Sequence, residues 1–202
     1  MVITALKKQV KNLERVSVFV DGRYSFSLSL NELITERIRQ GDEIGQARLK
    51  KLQKISSDGK LKARALVWLI NRPHSTREFK DYLIRKKADP ELIEKFVRDF
   101  TDRGYLNDRQ YAAWLVELRG RGGRSDRALR AELYKKGIGR EVIGEVMEGT
   151  QDEMERLKIM IAKKQKLSRY KSDELKLAKY LTSQGFSYSL VKQALGSDDF
   201  LD

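Results

Sequence analysis

A chain of 202 residues, 40% of them hydrophobic and 35% charged, suits several small cores better than one thick core. It has no cysteine, which excludes disulfides, thiolate-ligated zinc and cysteine nucleophiles. The N-terminal residues carry lysines rather than an apolar leader, and no run approaches the ~18 apolar residues that cross a bilayer, so a cytoplasmic protein with no membrane partner is expected. The net charge of +13 bears on partners rather than on fold, and it points to a polyanion.

The first segment reads as strands. Val16-Ser17-Val18-Phe19-Val20 alternates, Asp21-Gly22 follows, and Arg23-Tyr24-Ser25-Phe26-Ser27-Leu28 alternates again. Two such runs joined by Asp-Gly predict a hairpin, because a type I′ turn needs φ > 0 at both central residues. Residues 2–9 offer a third strand. Asn31 is placed to cap a helix reaching about Gln40, with Gly41 as its stop. A lysine-rich helix follows over about 46–55, and Ser56-Ser57-Asp58-Gly59 reads as a domain boundary.

From Lys62 the chain repeats. Phe79, Leu83, Leu92, Ile93, Phe96 and Val97 are echoed by Leu129, Leu133, Val142, Ile143, Val146 and Met147. A second echo is Leu177, Leu181, Leu190, Val191, Ala194 and Leu195. Each set spaces apolar residues for a helix, a turn and a second helix, with one buried stripe on each. Gly137 and Gly185 fit left-handed stops after the first of these helices, and Asp89, Gly139 and Ser187 fit N-caps, with Pro90 at a first helical position. Ser75 and Glu78 suit a capping box. A further helix precedes each pair, around Trp68, Trp114 and Ile159. Both tryptophans sit inside apolar runs and read as core. The expectation is a mainly α chain: an N-terminal β-hairpin and helix extension over 1–58, then three tandem three-helix repeats over 62–108, 109–150 and 151–197. One such unit has too little core to stand alone, so neighbours should stack.

Catalytic chemistry is hard to assemble from these residues. The one histidine, His74, follows Arg72-Pro73 and reads as a solvated loop residue. The carboxylates are interleaved with Lys and Arg along amphipathic helices, without a cluster spaced for a metal ion. Arg119-Gly120-Arg121-Gly122-Gly123-Arg124 lacks the strand before it and the Lys-Ser/Thr after it that a phosphate-binding loop needs. No enzyme, cofactor or metal is therefore expected.

Charge concentrates in two places. Arg119, Arg121, Arg124, Arg127, Arg130, Lys135 and Lys136 lie within a stretch holding two acids. Arg127, Arg130 and Tyr134 fall at i, i+3 and i+7, opposite the Leu129/Leu133 stripe, so cations stand beside an aromatic ring as on a nucleic-acid surface. The second run is Arg156, Lys158, Lys163, Lys164, Lys166, Arg169 and Lys171, with no acid inside it.

Several runs together resemble the RecX family. Ala65-Leu66, Leu69, Arg72, Ser75, Glu78-Phe79 and Leu83 are similar to its first repeat. Gly104-Tyr105-Leu106-Asn107-Asp108 resembles its Gly-Tyr-Leu-Asp-Asp signature. Arg127, Leu129, Glu132-Leu133 and Lys136-Gly137-Ile138 resemble its second repeat, and the run from Leu13 to Gly22 its N-terminal extension. Asn107 replaces the family's Asp, and both cap helices. Lys87-Ala88 stands where the later repeats have Gly-Ile and Gly-Phe, and the third repeat is the least regular. The resemblance implies an elongated, curved array that binds the RecA filament on single-stranded DNA; double-stranded DNA stays open as an alternative to the single strand. It implies restraint of strand exchange, ATP hydrolysis and cleavage of RecA-dependent repressors, in DNA repair and the SOS response. A monomer is expected. The rival expectation is a DNA-binding helical-repeat protein with no RecA partner.

Overall fold

The structure, a computed structural model, describes residues 1–10, 12–150, 152–171 and 173–196. The expected outer limits of the third repeat, Gln151 and Ser197, lie outside the described residues. The chain forms two compact units, one of Met1–Asn71 with Lys86–Phe96, the other of Arg72–Arg85 with the described residues from Val97 onward.

In the first unit, β1 (Ile3–Lys8), β2 (Arg15–Val20) and β3 (Arg23–Ser29) make an antiparallel sheet in the order β1-β2-β3. Asp21 and Gly22 adopt φ of 47° and 78°, the left-handed pair that the hairpin requires. Ile3, Val18, Val20, Phe26 and Leu28 fill the inner face with Ile38, Ile44 and Leu52. The first helix, α1 (Leu30–Thr35), is shorter than expected and is capped by Ser29, not Asn31, in a capping box with Glu32. It stops before Gln40 because Arg37 turns to φ 51°, and the chain then bends through Ile38 into the core.

The expected break at residues 56–59 is absent. Helix α2 (Gln46–Ile70) runs through it without interruption. Ser56 points inward and accepts a hydrogen bond from the Ser27 amide at 3.2 Å, which satisfies the outer edge of β3. Gly59 faces the Glu32 carboxylate so closely that a Cβ there would meet Oε1 at 2.2 Å. Tertiary contacts thus offset a glycine's helix penalty of about 1 kcal/mol. One consequence is that the unit boundary cuts through the stretch expected to form the first repeat. The whole of α2 belongs with the sheet, whereas α3 (Thr76–Arg85) belongs to the second unit and α4 (Pro90–Asp102) is shared.

The rest of the second unit is helical. Helices α5 (Asp108–Gly120), α6 (Asp126–Lys135) and α7 (Arg140–Glu148) enclose Tyr111, Ala112, Leu115, Val116, Leu129, Leu133, Ile138, Ile143 and Met147. Asn107 caps α5 by accepting from the amides of Arg109 and Gln110. Helices α8 (Glu153–Gln165), α10 (Glu174–Ser183) and α11 (Tyr188–Leu195) enclose a second core around Leu157, Leu177, Leu181 and Val191. A short extra helix, α9 (Ser168–Lys171), inserts Tyr170 into that core and accounts for the irregularity of this repeat. Gly137 and Gly185 take φ of 81° and 96°, and Lys87, at the same place after α3, takes 60°. The Lys87 turn therefore closes as the glycine turns do, with its side chain exposed.

Candidate binding face

Helix α6 is built to present cations outward. Ser125 caps it, accepting from the Ala128 amide, Asp126 sits in its first turn and Lys135 in its last, as the helix dipole favours. Leu129 and Leu133 are buried on one side. On the other, Arg127, Arg130 and Lys135 are exposed and Tyr134 keeps 48% of its surface. Arg124 is exposed in the loop before the helix. Among the described residues no ion pair ties Arg124, Arg127, Arg130 or Lys135 to an acid. This face is the concentration of cations and an exposed ring that the sequence indicated.

Three residues of the same group are already engaged. Arg119 pairs with Glu132 at 3.0 Å, and Arg121 pairs with Glu117 one helical turn before it. Lys136 donates to Glu78 at 2.8 Å. Exposed pairs of this kind contribute up to about 1 kcal/mol and release readily, so Arg119 and Arg121 stay available to a stronger anion.

The second run divides. Lys158, Lys163, Lys166, Arg169 and Lys171 are exposed. Lys164 is half-buried with its ammonium 4.6 Å from the centre of the Tyr180 ring, and the Arg169 guanidinium lies 4.8 Å from that of Tyr170. Lys163 donates to the Arg121 carbonyl at 3.2 Å. Arg156 is a correction: its side chain is 1% exposed and has no surface to offer a partner. Its guanidinium pairs with Asp126, and its Nε donates to the Arg124 carbonyl at 3.0 Å. It holds the loop before α6 against α8 instead of binding anything. No charge pattern in the sequence separates it from its neighbours; its place one residue before the buried Leu157 is the one available sign.

A second group escaped the sequence reading. His74 is not a solvated loop residue but 5% exposed. Its Nδ1 lies 3.3 Å from Glu78 Oε2, to which Arg72 also donates at 3.2 Å, while Tyr111 donates to Oε1 at 3.4 Å. Burial alone would raise the Glu78 pKa, but hydrogen bonds from Lys136 and Arg72 outweigh it and hold the carboxyl below its ordinary value. Burial, with the Glu78 charge beside it, pushes the Tyr111 phenol up to about 12, so it stays a donor. The Arg72 guanidinium also lies 5.2 Å from the Trp114 ring, which is partly buried against the α5–α7 core. Trp68 too is half-buried. The His74–Glu78 spacing of one helical turn was the missed signal. Around Glu78, therefore, the contacts of Arg72, His74, Tyr111 and Lys136 tie α3 to α5 and to the end of α6.

Fold and site together define a helical-repeat protein whose middle module shows a cationic face. The family pattern described as the regulatory protein RecX N-terminal domain matches residues 1–45, and that of the RecX second three-helix domain matches residues 107–147. The regulatory protein RecX of Bacillus subtilis (strain 168) is 30% identical over 98% of this chain and 77% of its own length. That of Listeria monocytogenes serotype 4a (strain HCC23) is 27% identical over 96% and 74%. A crystal structure of regulatory protein RecX superimposes with a TM-score of 0.77 at 22% identity, covering 97% of this chain and 99% of the other. RecX from Lactobacillus salivarius gives 0.59 at 21% identity, over 69% and 94%. The chain belongs to the RecX family of regulatory proteins.

Proposed function

We propose that this chain binds the RecA filament on single-stranded DNA and restrains it, lowering strand exchange, ATP hydrolysis and repressor cleavage. It acts by association, as a cytoplasmic monomer with no reaction of its own. The observation that carries this reading is the outer face of α6 with the loop before it, where Arg124, Arg127, Arg130, Tyr134 and Lys135 stand exposed, the four cations without an acidic partner among the described residues, in a chain of net charge +13. Such a face suits a nucleoprotein, whose phosphates attract cations and whose bases stack on tyrosine. Arg119, Arg121, Lys158, Lys163, Lys166, Arg169 and Lys171 add long-range attraction.

Replacing Arg127 and Arg130 together by Glu reverses two charges on this face without touching the Leu129/Leu133 core. Filament affinity, measured by co-sedimentation or anisotropy, falls at least tenfold while the helical circular-dichroism signal is kept, since each lost charge-assisted contact costs about 1.5–3 kcal/mol. Undiminished filament binding by this double variant would remove α6 from the interface.

A further inference from the structure

The two joints within the second unit are built alike. At the first, Ser75 Oγ accepts from the Glu78 amide at 3.1 Å and donates to the Lys136 carbonyl at 2.9 Å. At the second, Ser125 Oγ accepts from the Ala128 amide at 3.2 Å and donates to the Gln184 carbonyl at 2.8 Å. The Thr76 amide donates to Asp108 at 2.7 Å, and the Asp126 amide to Glu153 at 2.7 Å. Each acceptor carbonyl precedes a left-handed glycine. A Cβ on Gly137 would lie 2.9 Å from Arg77 Cβ, and one on Gly185 would lie 3.4 Å from Arg127 Cβ. So α3 meets α6 through the same atoms by which α6 meets α10, and at both joints a bare glycine packs against the first turn of the other helix, where a Cβ would crowd Arg77 in one case and Ser125 Oγ at 2.7 Å in the other. Residues at matching positions of α3 and α6 are therefore related by one repeated displacement.

That displacement carries the cationic face with it. Arg77, Lys80, Ile84 and Arg85 of α3 occupy the positions of Arg127, Arg130, Tyr134 and Lys135 of α6. Phe79 and Leu83 are buried as Leu129 and Leu133 are. Arg77 and Arg85 are exposed, Lys80 is half-buried, and Ile84 keeps 60% of its surface beside them, as Tyr134 does on α6. In α10 the same positions hold Leu175, Ala178, Thr182 and Ser183, so the pattern stops there.

We propose that α3 is a second step of the same binding face, and that α3 and α6 form a two-step track for the backbone of single-stranded DNA. The proposal rests on reading α6 as a contact surface and extends it by naming the ligand and the second helix. A ligand engaging both steps must repeat its negative charge, and it must offer flat apolar groups to Tyr134 and Ile84. A single strand does both, because its phosphates recur at every residue and its bases are unpaired. The α3 step is the weaker, since Asp81 stands where α6 has Ala131 and lies between Arg77 and Arg85 on the helix surface.

The test is binding of the full chain to a fluorescein-labelled oligothymidylate across a range of NaCl concentrations. Each phosphate contact contributes about 0.7 to the slope of log affinity against log salt for a single strand, so Arg77→Ala with Arg85→Ala flattens the slope by roughly 1.4. Arg127→Ala with Arg130→Ala flattens it by the same amount, and Asp81→Ala tightens binding severalfold. An unchanged slope for the α3 pair beside a reduced one for the α6 pair would overturn the second step and leave the α6 face standing. If both pairs leave oligonucleotide binding intact yet weaken binding to the RecA filament, the face meets protein rather than DNA; the track is then overturned and the filament reading survives.

Discussion

Arg156→Ala lowers the unfolding free energy of the chain by about 3 kcal/mol and shifts the urea midpoint accordingly, although the residue belongs to the most basic stretch of the sequence. The side chain is 1% exposed, with its Nε 3.0 Å from the Arg124 carbonyl and its guanidinium on Asp126 and near Thr150 Oγ1 at 3.5 Å. It also contributes to the wall of a cleft of about 400 Å³ with Val116, Gly120, Val146 and Gly149, so truncation enlarges a hole instead of exposing a surface. Removing one partner of a buried ion pair costs about 3–5 kcal/mol, and the lower end applies because Asp126 is 39% exposed and water reaches it. Arg156→Lys keeps the charge but not the fork, and recovers part of the loss. A variant with an unchanged midpoint and weakened DNA binding would return Arg156 to the interface.

Glu78→Gln destabilises the chain by about 2 kcal/mol at pH 7 and flattens its acid unfolding profile. The carboxylate accepts from Lys136 and Arg72, with His74 and Tyr111 alongside, and its side chain is 16% exposed. Its folded pKa lies below the ordinary 4.5. A depressed carboxyl contributes stability that is fully present above the unfolded value and is lost as pH falls through the folded one. Wild type and variant therefore differ most above the ordinary value of 4.5 and converge as pH falls through the lower folded one. Equal stability of the two at neutral pH in thermal melts would mean that the network contributes nothing.

What the sequence discloses depends on how local the cause is. Asp21-Gly22 closes a hairpin by backbone sterics within four residues, and the Leu129/Leu133 stripe needs only helical periodicity; both are legible without a structure. Residues 56–59 mislead because their composition favours a turn, while Ser56 bonds the Ser27 amide and Gly59 leaves room for Glu32, both far away in the chain. His74 and Arg156 mislead for the same reason. Their partners Glu78, Asp126 and the Arg124 carbonyl lie across a turn or a joint, and a polar side chain carries no mark of burial in the sequence. Of the two basic runs, the α6 face is readable because its cations, its ring and its buried stripe share one helix. The run over 156–171 crosses two helices and mixes one buried arginine with exposed lysines.

Regulation of the RecA filament would show first in RecA's own turnover. Single-stranded-DNA-dependent ATP hydrolysis by the RecA of the same organism is measured while this chain is added at far less than one molecule per RecA. Hydrolysis is expected to fall at these substoichiometric levels. An unaltered rate, accompanied by tight and salt-sensitive binding of the chain to bare DNA, would contradict it and leave a helical-repeat protein that binds DNA alone.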